Sequence, residues 1–203
     1  MQWLAARIPG WMTPDTLTTI GFLGAIITFI GYVAAPAHPL MLLIASLGLI
    51  INWFGDSLDG TIARFRGIER PTYGFFVDHT TDVFEQVIIA LGMALSGFIQ
   101  FELAILGLIV YLLLSVLTFA KAQYFNRLEI SYSGFGPTEI RMALILMNLT
   151  IIIFPPQPML LLGIEATYPN LLSLLWSTIG SCVLAAQVAI TLSELKTAND
   201  EKR

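Results

Sequence analysis

The sequence predicts an all-α integral membrane protein: six transmembrane helices and an N-terminal interfacial helix, forming one domain over residues 1–203. Three observations carry that prediction. Hydrophobic residues make up 56% of the chain and charged residues 12%, whereas soluble domains carry about 25% charged residues. The mean hydropathy is +0.79, so the apolar surface exceeds what a chain of 203 residues hides in its own core. The apolar residues also fall into six runs, each close to the ~20 residues that cross a bilayer.

The elements follow in chain order. Met1–Thr13 (MQWLAARIPGWMT) is too short and too polar for a cleavable signal peptide. Its Trp3, Leu4, Ile8 and Trp11, with Arg7, read as a helix lying in the membrane interface, with a frayed leader as the plain alternative. The spans are then expected at Thr18–Ala35, Leu40–Arg64, Tyr73–Ile99, Leu103–Tyr124, Thr138–Phe154 and Leu171–Leu195. Pro155, Pro156 and Pro158 end the fifth. The ten basic residues are Arg7, Arg64, Arg66, Arg70, Lys121, Arg127, Arg141, Lys196, Lys202 and Arg203. With six spans, all of them fall on the side that holds both termini and the second and fourth connections. The connections around His38, Ser96–Glu102 and Pro155–Pro169 contain none. The positive-inside rule therefore places both termini in the cytoplasm.

Composition also excludes some classes of function. The single cysteine, Cys182, forms no intrachain disulfide and no cysteine-based zinc site. A net charge of −4 without a basic block argues against nucleic acid as a partner.

Where the second and third spans meet, the chain reads GDSLDGTIARFRGIERPTYGFFVDHTTDVFEQ, residues 55–86. Asp56 and Asp59 lie about 60° apart on one helix, and Asp78 and Asp82 about 40° apart on the next. Each pair shares a face, and the short Arg66–Thr72 connection lets the two faces meet. An ionisable residue at mid-span costs about 2.5–3.5 kcal/mol on insertion scales. At ~6 Å and an effective dielectric of 20, each pair of ionised carboxylates also repels by about 3 kcal/mol. A divalent cation removes that repulsion. Oxygen ligands point to Mg²⁺, Mn²⁺ or Ca²⁺ rather than zinc, and four carboxylates suit two ions sharing a phosphate. Helix-end aspartates solvated at the interface are the plain alternative.

Small residues accompany the carboxylates. Gly60 and Ala63 lie within about 40° of the Asp56 direction, and Gly74 heads the third helix on the Asp78 face. Such residues either let helices pack closely or let a flat, phosphorylated ligand approach the backbone. Arg64 is a fixed cation suited to phosphate, or an interfacial anchor. His79, about 100° from Asp78, is expected to point off the carboxylate face and to pack or to support a ligand from behind rather than bind metal itself.

These residues spell D-x-x-D-G-x-x-A-R followed by G-x-x-x-D-x-x-x-D. The pattern closely resembles the signature of the CDP-alcohol phosphotransferase family, whose core is likewise six spans with the motif bridging the second and third. The spacing departs at one point: nine residues separate Arg64 from Gly74, where the family commonly has eight. The resemblance implies a CDP-linked donor, an alcohol acceptor, CMP as leaving group, two Mg²⁺ or Mn²⁺ ions, a lipid environment and a homodimer. By motif position it implies metal binding by Asp56, Asp59, Asp78 and Asp82, with Asp82 also taking the proton of the acceptor hydroxyl. Gly60, Ala63, Arg64 and Gly74 would line the nucleotide site, together with Asp56. The family's P-N-x-x-T appears here as Pro14-Asp15-Thr16-Leu17-Thr18, with Asp15 standing where the family has Asn, and the resemblance makes Thr18 a candidate phosphate or ribose contact. Phe76-Val77-Asp78-His79 and Gly136-Pro137-Thr138-Glu139 resemble runs of the eukaryotic choline/ethanolamine phosphotransferases. The six-span layout suggests a prokaryotic cytoplasmic membrane.

Glu85, seven residues past Asp78, returns to within about 20° of the same face and lies deeper in the span. Glu139 and Arg141 enter the fifth span from the cytoplasmic side. All three are candidates for the acceptor or headgroup, with a structural Glu85–Arg141 ion pair as the alternative. Two other functions stay open: an intramembrane Mg²⁺-dependent prenyltransferase and a non-enzymatic divalent-cation transporter. The first has no use for Gly60, Ala63, Arg64 and Gly74 at these spacings. The second predicts carboxylates spread through the bilayer rather than clustered at one face.

Overall fold

Each apolar run folds as a helix in the computed structural model, which describes residues 2–125, 136–161 and 164–200. The helices are α1 (Gln2–Ala5), α2 (Pro14–Ala34), α3 (Met41–Arg66), α4 (Pro71–Leu95), α5 (Phe101–Phe125), α6 (Pro137–Ile153) and α7 (Tyr168–Asp200). The six long helices coincide with the six expected spans. Four of them are long and apolar enough to cross a membrane: Pro14–Ala34, Met41–Arg66, Phe101–Lys121 and Tyr168–Lys196. The chain is an integral membrane protein. Helix α6 has only 17 residues, and α4 carries Asp78, Asp82 and Glu85, so neither meets that test by length and composition.

Local chemistry sets the helix ends. The Oγ1 of Thr13 accepts the backbone N–H of Thr16 at 3.1 Å, and Pro14 occupies the first turn of α2, where no N–H is needed. At the other end of the helical pair, Gly67 closes α3 in the left-handed region with φ 64°. The N–H of Ile68 then reaches the carbonyl of Ala63 at 3.0 Å. That reversal, followed by Pro71 at the start of α4, makes α3 and α4 antiparallel neighbours. Glycine alone takes this φ without strain.

Two departures from the sequence reading concern the connections. The expected interfacial helix is only the single turn of α1, because Pro9 and Gly10 end helical geometry. The segment after it is held by Arg66, whose guanidinium donates to the carbonyls of Met12 at 2.6 Å and of Ile8 and Pro9 at 3.0 Å. Leu4, Ile8 and Met12 pack against buried Leu17, Leu58 and Ile62, while Trp3 and Trp11 stay exposed. The other departure is a short hairpin between α6 and α7. Here β1 (Met159–Leu161) pairs antiparallel with β2 (Ile164–Ala166), with Leu160 opposite Glu165. Of the basic residues that set the expected orientation, Arg127, Lys202 and Arg203 lie outside the described residues.

Helices α2 and α3 meet backbone to backbone. A Cβ added at Gly24, Gly31, Gly48 or Gly55 would come within 3.0 Å of main-chain atoms of the facing helix. Small residues give such an interface its close approach, since lipid supplies no hydrophobic drive between helices. A second buried cluster, Tyr32, Ala35, Leu42, Ala45 and Ile151, ties α6 to this pair at the far end. The rigid pair is the frame from which the carboxylates of α3 project.

Candidate active site

At the Arg66 end of that frame, α3 and α4 open a cavity of about 620 Å³, walled further by α2, α5, α6 and α7. Asp56, Asp59, Asp78 and Asp82 all line it, so the two carboxylate pairs do face one space. Thr18, Gly60, Ala63, Arg64, Gly74 and Arg141 line the same cavity. Asp59 is buried, and its Oδ2 accepts a hydrogen bond from the Thr18 hydroxyl at 2.7 Å. Thr18 thus bridges α2 to a candidate metal ligand.

The glycines of the motif behave differently from those of the α2–α3 seam. A Cβ at Gly74 would meet nothing within 4 Å, and one at Gly60 would meet first the guanidinium of Arg64, at 3.3 Å on its own helix. No neighbouring helix presses on either position. The two readings of these small residues are therefore separated by geometry: close packing accounts for Gly24, Gly31, Gly48 and Gly55, not for Gly60 and Gly74. The latter leave bare backbone beside the carboxylates.

His79 does not point off the carboxylate face as its helical angle predicted. Its Nδ1 lies 3.1 Å from Asp78 Oδ2, and its ring sits against Phe75 and Phe119, at centroid distances of 4.1 and 4.6 Å. Stacking on Phe119 of α5 turns the imidazole back toward the cluster. Asp78, His79 and Asp82 each offer a ligand atom, all within 4.8 Å of one another. Ligand atoms across a divalent ion, at about 2.1–2.5 Å from it, stand about 4–5 Å apart. The donor set could therefore hold a divalent ion, and Asp56 and Asp59 line the same cavity.

Among the acceptor candidates, Glu85 and Glu139 do not line the cavity. Glu85 is 4% exposed, and its Oε2 lies 4.0 Å from Arg141 Nη2. The carboxylate of Glu139 turns back to accept the Gly136 N–H at 2.8 Å, capping α6. Both are engaged by the protein itself. Arg141 does reach the cavity, where Nη1 contacts Asp56 Oδ2 at 2.8 Å and Nε donates to Asn52 Oδ1 at 2.7 Å.

Several site residues escaped the sequence reading. Asn52, fully buried, holds the Gly21 carbonyl at 3.1 Å as well as Arg141. A lone amide inside the apolar run INWF was the available signal. Arg70 pairs with Asp15 across the cavity mouth and stacks its guanidinium 4.1 Å above Tyr73. The walls supplied by α5 and α7, including Tyr111 and Trp176, had no signal in runs that are apolar on every side.

Fold and site together define a helical membrane protein with a carboxylate-lined cavity between antiparallel helices. The chain belongs to the CDP-alcohol phosphatidyltransferase family, whose model matches residues 11–193. It is 34% identical over 99 residues to cholinephosphotransferase 1 of Danio rerio, covering 45% of this chain and 25% of that protein. It is 32% identical over 98 residues to archaetidylinositol phosphate synthase of Pyrococcus horikoshii, covering 48% of this chain and 49% of that protein. The chain thus spans less than half the length of either curated relative.

Proposed function

We propose that this protein transfers a substituted phosphoryl group from a CDP-linked donor to an alcohol hydroxyl, releasing CMP, in phospholipid synthesis. The observation that supports this reading best is the bare strip at Gly60 and Gly74, which opens onto the carboxylate cavity rather than onto another helix. A nucleotide needs such a surface to bring its pyrophosphate against four aspartates.

Two divalent ions, Mg²⁺ or Mn²⁺, held by Asp56, Asp59, Asp78 and Asp82, would neutralise the pyrophosphate and stabilise CMP as it leaves. The side chains do the rest. Gly60, Ala63 and Gly74 seat the nucleotide, Arg64 pairs with phosphate oxygens, and Thr18 fixes the orientation of Asp59. The acceptor oxygen attacks the phosphorus that bears the donor's alcohol, the pyrophosphate P–O bond breaks, and Asp82 takes the hydroxyl proton. The transfer is read as a direct in-line attack by the acceptor hydroxyl, without a covalent intermediate on the protein.

The donor is either CDP-diacylglycerol with a small polar alcohol or a CDP-amino alcohol with a lipid alcohol. One relative is named a cholinephosphotransferase and the other an archaetidylinositol phosphate synthase. We place the protein as a homodimer in a prokaryotic cytoplasmic membrane, with six spans and with both termini and the cavity mouth cytoplasmic. The clustering of Arg64, Arg66, Arg70 and Arg141 at the cavity end supports that orientation. Reconstituted protein should release CMP from one of these donors only when Mg²⁺ or Mn²⁺ and a matching alcohol are present, with the product lipid identified by mass spectrometry. Absence of CMP with every donor and alcohol pair would refute the reading.

A further inference from the structure

We propose that Arg141 and Glu85 form a charge-neutral clamp that positions the Asp56 carboxylate for metal binding. The inference rests on the reading of Asp56 as a metal ligand and goes beyond it by assigning two residues outside the signature motif.

The geometry is specific. Arg141 enters from α6 and uses three nitrogens at once: Nε to Asn52 Oδ1 at 2.7 Å, Nη1 to Asp56 Oδ2 at 2.8 Å, and Nη2 facing Glu85 Oε2 at 4.0 Å. Asn52 is itself fixed by its amide on the Gly21 carbonyl at 3.1 Å. One guanidinium thereby gathers α2, α3, α4 and α6 around one oxygen of Asp56. A planar fork can do this; a lysine ammonium has no such fixed set of donors.

Charge explains why Glu85 is present. A cation beside a cation site weakens that site, because it repels the metal it is meant to help. Glu85 is nearly inaccessible, with a side chain 5% exposed, and its negative charge balances that of Arg141. The pair then offers Asp56 an N–H donor and no net positive charge. Asp56 lines the cavity, and with Oδ2 held by Arg141 a metal ion would be taken by Oδ1. Groups that orient a metal ligand in this way typically change metal affinity by about 10–100-fold when removed.

The test is Mn²⁺ binding to the purified full-length protein, followed by electron paramagnetic resonance, beside the melting temperature of the metal-free protein. Arg141→Lys keeps the charge and loses the fork, and should raise the Mn²⁺ dissociation constant at least about tenfold. Glu85→Gln keeps the fork and unmasks its charge, and should also weaken Mn²⁺ binding. Should either single variant fail to fold, Glu85→Gln with Arg141→Gln replaces the buried ion pair by neutral amides and should still show the weakened binding. Wild-type Mn²⁺ affinity in these variants, with or without a lowered melting temperature, would overturn the clamp and leave only a structural ion pair. Failure of the wild-type protein to bind Mn²⁺ would instead overturn the reading of the aspartates as a metal site.

Discussion

At the scale of single residues, function is concentrated in a few side chains whose neighbours are unusually small or unusually polar. Asp82 is the last aspartate of the signature motif on α4 and lines the cavity with Asp56, Asp59 and Asp78. Asp82→Asn removes the proton acceptor while leaving three carboxylates for metal. It should lower CMP release by at least about 100-fold, the lower range for a general base, and retain part of the Mn²⁺ binding. Wild-type turnover in this variant would exclude Asp82 as the base. The aspartates were legible in the sequence because charge inside an apolar run is costly and the 3.6-residue period fixes which residues share a face. His79 packs on Phe75 and Phe119, in keeping with the packing role expected for it, but its Nδ1 also reaches Asp78, a direction that helical angle alone did not predict. Glu85 was legible as an intramembrane carboxylate, whereas its partner depends on where α6 docks.

At the scale of helices, glycines serve two purposes that composition does not distinguish. In the α2–α3 seam they remove side chains so that main chains touch, and in the motif they remove side chains so that a ligand can. Gly24→Leu places a branched side chain inside the backbone of α3, whose Asn52 main chain lies within 3.0 Å of the added Cβ. Overpacking of this kind costs about 1–3 kcal/mol or more, so the variant should melt well below wild type or fail to accumulate. The Cβ of Gly60→Leu would first meet the flexible end of Arg64, and replacing a mid-helix glycine gains up to ~1 kcal/mol of helix propensity. Its melting temperature should therefore stay at or above that of wild type. Comparable destabilisation in both variants, measured by thermal unfolding in detergent, would mean that Gly60 also packs against a helix. The order and approximate ends of the six long helices could be read from hydropathy, since each apolar run must satisfy its backbone internally. The one-turn length of α1 and the β1–β2 hairpin could not, because short elements depend on tertiary contacts such as those of Arg66.

At the scale of the whole molecule, the account joins an orientation to a chemistry. If the cavity mouth is cytoplasmic, Arg70→Cys should be labelled by an impermeant thiol reagent only from the cytoplasmic side, and His38→Cys only from the opposite side, both in a Cys182→Ala background. Labelling of both from one side would contradict the span count. The walls that α5 and α7 add to the cavity were not legible in the sequence, since mostly apolar helices carry little mark of which face turns inward, whereas Glu139 and Arg141 already pointed to the start of α6. The family signature supplied the chemistry where periodicity supplied only the placement of the carboxylates. The central claim is that the bare strip beside the aspartates seats a cytidine nucleotide, and calorimetric titration of CMP into the Mg²⁺-loaded protein tests it most directly. Wild-type protein should bind CMP, and Gly60→Leu, folded and as stable as wild type, should bind it at least about tenfold more weakly. Equal CMP affinity in the two proteins would contradict the account.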